Sequence, residues 1–250
     1  MTALLKVEGL SKSFGGVKAV TGVSFTLDAG ELLALIGPNG AGKSTCFNML
    51  NGQLKADGGS IELDGRSIMG RSPREIWRMG VGRTFQITAT FSSMTVRENV
   101  QMALLSHHRQ LPRFLVRARD QFVAAADALL ERVGMGAQAE RPCSVLAYGD
   151  LKRLELAVAL ANRPRLLLMD EPTAGMAPRE RLDLMALTAD IVRGDRIAVL
   201  FTEHDMDVVF RHANRMLVLN RGHVIASGAP LEVRANPEVQ RVYLGSRSAH

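Results

Sequence analysis

The sequence predicts an α/β fold in which a core of parallel strands carries an antiparallel β lobe and an inserted helical subdomain. Three features indicate it: two early segments that alternate apolar and polar residues, a glycine-rich loop between an apolar strand and a helix, and a mid-chain stretch of helical periodicity. The length of 250 residues suits one large α/β domain. We expect a single domain over 1–250, with the core and β lobe at 1–87 and 163–250 and the helical subdomain at about 88–162.

The antiparallel lobe is predicted by the first thirty residues and a later hairpin. Residues 4–10 and 23–27 alternate as half-buried strands do, and Phe14 is expected in the loop that connects them. Asp64 and Gly65 are expected to form the turn of a hairpin that follows the strand at 60–63.

The glycine-rich loop reads G-x-x-x-x-G-K-S and follows the apolar run at 32–36. Its glycines let successive N–H groups turn toward a phosphate, Lys43 brings a charge to the β and γ phosphates, and the Ser44 hydroxyl is a ligand for Mg²⁺. The N-terminus of the following helix, at 43–50, adds to this attraction. The chain is therefore predicted to bind a nucleoside triphosphate, ATP with Mg²⁺, through Gly37, Pro38, Asn39, Gly40, Ala41, Gly42, Lys43, Ser44 and Thr45.

Helical periodicity dominates from about Met94 to Asn162, and it includes a last helix predicted at 149–162. Continuous apolar strands then return at 166–169, 197–201 and 216–219, around a helix at about 179–192. This alternation is typical of a buried parallel sheet.

The strand at 166–169 ends in two adjacent carboxylates, Asp170 and Glu171. Acidic residues at a strand end are usually solvated turn residues. Because a phosphate loop lies upstream, we interpret Asp170 as the carboxylate that holds Mg²⁺ through water and Glu171 as the base that polarises the attacking water.

The composition of the chain limits the kinds of partner and the cellular location that we expect for it. Its net charge is +6, but the arginines at 109, 113, 117 and 119 lie among apolar residues without a run of aromatic side chains for stacking on bases, so we predict a solvated or membrane-facing surface and no nucleic acid. The two cysteines lack metal-ligand spacing. Apolar runs fall short of the roughly 18 residues of a bilayer span, and the N-terminus lacks signal-peptide features, so we expect a cytosolic chain.

In their order and separation these motifs resemble the ATP-binding subunits of ABC transporters over nearly the whole chain. The resemblance adds Gln86, the segment LAYGD at 146–150 and His204. It implies that Phe14 stacks on adenine, that Gln86 contacts Mg²⁺ and the attacking water, and that His204 contacts the γ-phosphate. The implied catalytic residues are Glu171, His204 and Gln86, and the implied metal ligands are Ser44, Gln86 and Asp170.

The segment at 146–150 begins the predicted helix at 149–162, where backbone N–H groups offer a second phosphate site. The residues expected there are Ala147, Tyr148, Gly149 and Asp150. The resemblance implies that this site serves the phosphate loop of a second ATP-binding subunit, packed head to tail. Ala147 stands where the family often has serine, which removes a hydrogen bond worth about 1–3 kcal/mol. Ala177 stands where the family often has aspartate, and it bears on communication between the two ATP sites.

A narrower resemblance, to the first of the two ATP-binding subunits of branched-chain amino acid importers, covers 14–20, 82–86, 94–100, 146–149, 174–176 and 236–245. It implies a peripheral subunit at the cytoplasmic face of the inner membrane, which powers uptake of branched-chain or similar amino acids. The implied partners are two transmembrane permease subunits docked at about 87–96, a second ATP-binding subunit, either a different chain or a second copy, and indirectly a solute-binding protein.

Three alternatives stay open from the sequence: an amide or urea importer, a lipid or polysaccharide exporter, and a soluble ABC ATPase that acts on nucleic acid or the ribosome. The last is disfavoured, because such proteins usually carry two ATP domains, a long coiled-coil insertion or zinc modules. Since five residues follow Gly245, we expect no C-terminal regulatory domain.

Overall fold

The computed structural model describes residues 3–84, 90–108 and 120–244. Its strands are β1 (Leu5–Phe14), β2 (Val17–Leu27), β3 (Leu32–Ile36), β4 (Gly58–Leu63), β5 (Arg66–Ser67), β6 (Val81–Thr84), β7 (Leu166–Asp170), β8 (Ala198–Thr202), β9 (Arg215–Asn220) and β10 (His223–Gly228). Its helices are α1 (Lys43–Leu50), α2 (Pro73–Arg78), α3 (Val96–His108), α4 (Val123–Arg132), α5 (Tyr148–Leu160), α6 (Pro178–Asp195), α7 (Met206–His212), α8 (Pro230–Ala235) and α9 (Pro237–Leu244).

The strands form two sheets. A four-stranded antiparallel sheet has the order β2-β1-β4-β5, and a six-stranded sheet has the order β10-β9-β3-β8-β7-β6. In the larger sheet β9, β3, β8, β7 and β6 are mutually parallel, and β10 pairs antiparallel with β9 at the edge. The predicted α/β fold with an antiparallel lobe and a helical subdomain is confirmed.

The structure differs from the sequence prediction in particular elements. Phe14 is the last residue of β1 and does not lie in a loop, because β1 and β2 stay paired up to Phe14 and Val17. Strands β6 and β10 were not predicted. The helix predicted at 149–162 runs from Tyr148 to Leu160. Gln86, and the arginines at 109, 113, 117 and 119, lie outside the described residues.

Strand β3 separates two apolar cores. Leu32, Ala34 and Ile36 face a core shared with α3 to α7, while Leu33 and Leu35 face a core shared with the antiparallel lobe and α1. This two-sided burial explains why β3 is apolar throughout and not alternating. Across the described ranges, no helix combines the length and the apolar character that crossing a membrane requires.

The parallel arrangement places the functional segments at one edge. Strands β3, β7 and β8 are neighbours, and Asp170 pairs in register with Thr202. Their carboxyl ends therefore bring together the loop after β3, the acidic residues at the end of β7 and the turn after β8, which is where open α/β sheets bind ligands.

Candidate active site

The phosphate loop joins β3 to α1 and is held tightly against β2 and β9. A Cβ on Gly42 would lie 2.5 Å from the carbonyl oxygen of Ala19, and one on Gly37 would lie 2.2 Å from that of Leu219. Gly42 also has a φ of 103°. These two positions admit only glycine without a shift of the backbone, so the glycines of the motif are required by the fold as well as by the expected ligand.

Lys43 is buried in this loop. Its ammonium donates to the carbonyl oxygens of Gly37 at 2.7 Å and Pro38 at 3.2 Å. Burial lowers the pKa of the Lys43 ammonium below its usual value, and the nearby carboxylates of Glu171 and Asp170 partly oppose this shift. The positive charge thus lies within electrostatic reach of both carboxylates at the end of β7.

The other loop residues divide by exposure. Asn39, Gly40 and Ser44 are exposed, Thr45 and Pro38 are partly buried, and Ala41 is buried. The Ser44 hydroxyl at the start of α1 is therefore on the accessible side of the loop.

Asp170 is oriented by two partners. Its Oδ1 accepts a hydrogen bond from the Thr202 hydroxyl at 2.7 Å, and its Oδ2 lies 3.8 Å from Nη2 of Arg83. Burial lowers the pKa of the Arg83 guanidinium below its usual value, and the interaction with Asp170 partly opposes this shift. Thr202 also accepts a hydrogen bond from the backbone N–H of Glu171 at 3.0 Å. One hydroxyl therefore fixes both acidic residues, and sequence reasoning did not identify it.

Glu171 and His204 are in direct contact. His204 Nε2 lies 2.9 Å from Glu171 Oε1, with the glutamate side chain 24% exposed and the histidine side chain 51% exposed. Glu171 has a φ of 49°, in the left-handed region that non-glycine residues rarely adopt. Such backbone conformations persist only where surrounding bonds enforce them, and they concentrate at functional sites.

Glu203 is a second residue that the motifs did not reveal. Its carboxylate is buried and accepts hydrogen bonds from the N–H and hydroxyl of Thr173 and from the N–H groups of His204 and Asp205. The available signal was an acidic residue directly after an apolar strand, next to the predicted His204.

The segment at 147–150 lies at the start of α5. Ala147 is the N-cap residue and makes no side-chain bond to the first turn. A Cβ on Gly149 would lie 3.4 Å from the carboxyl of Glu180, and the Tyr148 ring lies beside Gly175. The Lys152 ammonium lies 5.5 Å from the Tyr148 ring centroid. This segment therefore faces the start of α6 and the loop before it.

Both departures from the family pattern are helix N-cap residues. Ala147 caps α5 and Ala177 caps α6. At Ala177 the Glu180 carboxylate reaches back to the backbone N–H at 3.3 Å. Neither alanine can offer a side-chain acceptor to the N–H groups of its first turn, which leaves those groups available to another partner.

Phe14, the residue expected to stack on adenine, is 48% exposed, and the Lys12 ammonium lies 5.6 Å from its ring centroid. The structure thus brings the phosphate loop, Asp170, Glu171 and His204 together and leaves an aromatic face accessible at the end of β1. Gln86 lies outside the described residues, and its predicted role stays a prediction.

A second surface lies on the helical subdomain. Phe91 is 53% exposed, and its backbone is held on both sides by buried Asn99, which accepts from Phe91 N–H at 2.7 Å and donates to Phe91 C=O at 3.2 Å. A groove of about 400 Å³ runs between α2, β6, α3 and α5, lined among others by Gln53, Trp77, Ala103, Val158 and Asn162.

Comparison with known proteins agrees with this geometry. A family described as ABC transporter matches residues 20–174, and one described as Branched-chain amino acid ATP-binding cassette transporter matches residues 223–249. The chain is 43% identical to the High-affinity branched-chain amino acid transport ATP-binding protein LivG of Salmonella typhimurium, over 97% of this chain and 98% of the relative. It is 41% identical to the corresponding protein BraF of Pseudomonas aeruginosa, with the same coverage.

Solved structures give the same result. The ADP conformation of an ATP-binding cassette of an ABC transporter superposes with a TM-score of 0.87 at 31% identity, over 98% of this chain and 100% of the other. A nucleotide-free ATP-binding cassette from an ABC transporter superposes with a TM-score of 0.85 at 30% identity, over 97% and 99%. The chain therefore belongs to the ABC transporter family, as an ATP-binding and ATP-hydrolysing protein of the branched-chain amino acid transporter type.

Proposed function

We propose that this chain powers the uptake of branched-chain amino acids as a peripheral subunit at the cytoplasmic face of the inner membrane. The names of the LivG and BraF relatives support this solute class, as does the family match at the C-terminus. Selectivity would reside in the membrane subunits and an associated solute-binding protein, because the proposed chemistry of this chain is confined to ATP.

In the proposed complex the phosphate loop cradles the β and γ phosphates and Phe14 stacks on the adenine. Lys43 exchanges its contacts to loop carbonyls for contacts to phosphate oxygens. The Ser44 hydroxyl and the Asp170 carboxylate are hard oxygen ligands that suit Mg²⁺, and Gln86 joins them by family resemblance. Bound Mg²⁺ would neutralise charge that develops on the phosphates during transfer.

The contact between Glu171 and His204 is the single observation that carries the hydrolytic assignment. This carboxylate lies 2.9 Å from an imidazole, on a left-handed backbone, and within electrostatic reach of Lys43 in the phosphate loop. In our proposal Glu171 accepts a proton from the attacking water, and His204 orients that carboxylate and contacts the γ-phosphate.

We further propose that catalysis needs a second ATP-binding subunit packed head to tail. The N-terminus of α5 carries N–H groups that Ala147 does not cap, and such groups bind phosphate. The site at 147–150 of one subunit would then complete the phosphate loop of the other. A different ATP-binding chain is the proposed partner, and a second copy of this chain is the alternative.

The proposed docking surface for two permease subunits comprises the exposed Phe91 segment and the groove between α2, β6, α3 and α5. An exposed phenylalanine whose backbone is clamped on both sides by buried Asn99 presents an apolar contact in a fixed position. Such a contact suits an apolar helix of a membrane partner.

The test is Glu171→Gln in the full chain. The amide preserves the shape of the side chain but removes its basicity, so hydrolysis should fall by about 10²–10⁴-fold while MgATP affinity stays within about twofold. The exposed Glu238→Gln is the matched control and should retain both. Hydrolysis by Glu171→Gln above about a tenth of the wild-type rate would contradict the assignment of the base.

The solute is tested separately, in a strain that lacks this chain and any redundant importer. Unchanged leucine uptake in that strain would remove the solute assignment alone.

A further inference from the structure

Glu203 follows the last residue of β8 and is only 5% exposed. Its Oε1 accepts from the Thr173 N–H at 3.0 Å and from the Thr173 hydroxyl at 2.6 Å. Its Oε2 accepts from the N–H groups of His204 at 3.1 Å and Asp205 at 3.5 Å. Four donors occupy the roughly four acceptor positions that a carboxylate offers.

The two oxygens serve two different loops. Thr173, itself 1% exposed, lies two residues after Glu171 in the loop that follows β7. His204 and Asp205 belong to the turn between β8 and α7. One buried carboxylate therefore links the loop that carries Glu171 to the turn that carries His204.

The neighbouring bonds extend this link to α6. Asp205 caps α7 and accepts from Arg181 Nη1 at 2.8 Å, and Arg181 Nε donates to the carbonyl oxygen of Met176 at 2.7 Å. The loop after β7 is thus tied at Thr173 and at Met176 to the same turn. A loop tied at two points to one neighbour moves with it as a unit.

We propose that Glu203 is a positioning residue for ATP hydrolysis, which fixes the loop of Glu171 and the turn of His204 relative to each other so that their side chains stay in contact. The inference rests on the roles proposed above for Glu171 and His204. Glu203 acts through these residues, and its own carboxylate is occupied by backbone and threonine donors.

An amide cannot replace this carboxylate, although it has the same shape. A glutamine side chain has one acceptor oxygen and one donor NH₂ group. If the oxygen faces Thr173, the NH₂ faces the N–H groups of His204 and Asp205. If the oxygen instead faces His204 and Asp205, the Thr173 N–H loses its acceptor. In both orientations at least one buried N–H is left without its partner, and the two loops are no longer held by one group.

The experiment uses the full chain with Glu203→Gln, Thr173→Val and the double variant. Glu238→Gln controls for the loss of a glutamate charge, and Thr188→Val controls for the loss of a buried hydroxyl, since Thr188 is also 1% exposed but donates within α6, to the carbonyl oxygen of Leu184. Single-turnover hydrolysis, MgATP affinity by calorimetry and the thermal midpoint are measured for each.

We expect hydrolysis to fall about ten- to a hundredfold in Glu203→Gln, since small misplacements of catalytic groups have effects of this size. MgATP affinity should stay within about twofold. The double variant should be no slower than the slower single variant, because both changes break the same link. Glu203→Gln should cause no further loss in a Glu171→Gln background, where there is no base to position.

Hydrolysis within about twofold of wild type in both single variants would overturn the inference. So would additive effects of the two changes, or a loss of rate matched by an equal loss of MgATP affinity, since these indicate a general structural role. If Glu203→Gln does not fold, Thr173→Val, which removes a single hydroxyl, decides by the same criteria. If Glu171→Gln abolishes hydrolysis but Glu203→Gln does not, this inference is refuted and the assignment of Glu171 as the base stands. If Glu171→Gln still hydrolyses ATP, the assignment of the base is itself refuted.

Discussion

Thr202→Val tests how the two acidic residues at the end of β7, Asp170 and Glu171, are held. The Thr202 hydroxyl donates to Asp170 at 2.7 Å and accepts from the Glu171 N–H at 3.0 Å, and the residue is 1% exposed. Valine has nearly the same shape but can do neither. Loss of this bridge leaves a carboxylate oxygen and a backbone N–H without their buried partner, beside a residue whose φ is 49°.

The magnitude follows from these two bonds. A hydrogen bond to a charged group is worth about 1.5–3 kcal/mol and a neutral one about 0.5–1.5 kcal/mol. The added methyl group regains about 0.8 kcal/mol of apolar burial. We therefore expect the free energy of unfolding to fall by about 1.2–3.7 kcal/mol, which corresponds to a decrease in Tm of roughly 2–15 °C at this chain length. Hydrolysis should fall at least about tenfold, since the Glu171 backbone loses its anchor.

Thermal and urea unfolding followed by circular dichroism, with single-turnover hydrolysis, measure both effects. Thr188→Val is the matched control, because the Thr188 hydroxyl donates to the preceding turn of its own helix, an arrangement that adds little stability. Thr202→Ser keeps the hydroxyl and should recover most of the hydrolytic rate. If Thr202→Val and Thr188→Val were equally stable and equally active, the bridging role of Thr202 would be refuted.

Three further outcomes are expected. Specific ATPase activity should rise with protein concentration, and Gly149→Val should lower it at least about tenfold while MgATP affinity stays within about twofold; activity independent of dilution would contradict a shared site. Phe91→Asp should lower leucine uptake by the assembled transporter at least about fivefold and leave the ATPase rate of the isolated chain within about twofold, whereas Leu231→Asp, at a side chain 75% exposed, should change neither. Burial raises the pKa of the Cys46 thiol to about 12, so a maleimide at pH 8 should modify it only in urea; rapid labelling of the native chain would show that the thiol is accessible.

The sequence predicted those parts of the site in which the residues that the backbone conformation requires and the residues that bind the ligand are neighbours in the chain. Gly42 must be glycine for the loop to lie against Ala19, and Lys43 beside it carries the charge that phosphate requires. The motif can therefore be recognised from consecutive residues alone. Asp170 and Glu171 were predicted for a similar reason, since they end an apolar strand downstream of that loop.

Thr202 and Glu203 could not be predicted in the same way. Their contacts depend on the pairing of β7 with β8, which brings Thr202 opposite Asp170 although about thirty residues separate them. An acidic residue directly after an apolar strand marks Glu203 as a candidate, but neither residue carries a local signal that identifies its partners at the end of the neighbouring strand or in the loop beyond it. Those contacts follow from the pairing of β7 with β8.

Two errors in the fold have local causes. β1 shifts register near Leu10 and Lys12, which breaks the alternation that would have extended the strand to Phe14. β6 contains Gly82, which resembles a loop residue but is closely packed, because a Cβ there would lie 3.2 Å from Leu167 and Pro164 side chains. Glycine inside a strand often marks such a close approach of a neighbouring group, which the sequence alone does not show.

The position of β3 between two apolar cores has a consequence for amide exchange. All five of its residues are at most 2% exposed, and alternate side chains anchor it in opposite cores. Exposing its N–H groups would require both cores to open at once, so we expect them to exchange only through global unfolding, among the slowest in the chain. The loop that would hold the phosphates therefore extends from one of the least deformable strands of the molecule, and motion during turnover is expected in the helical subdomain around it.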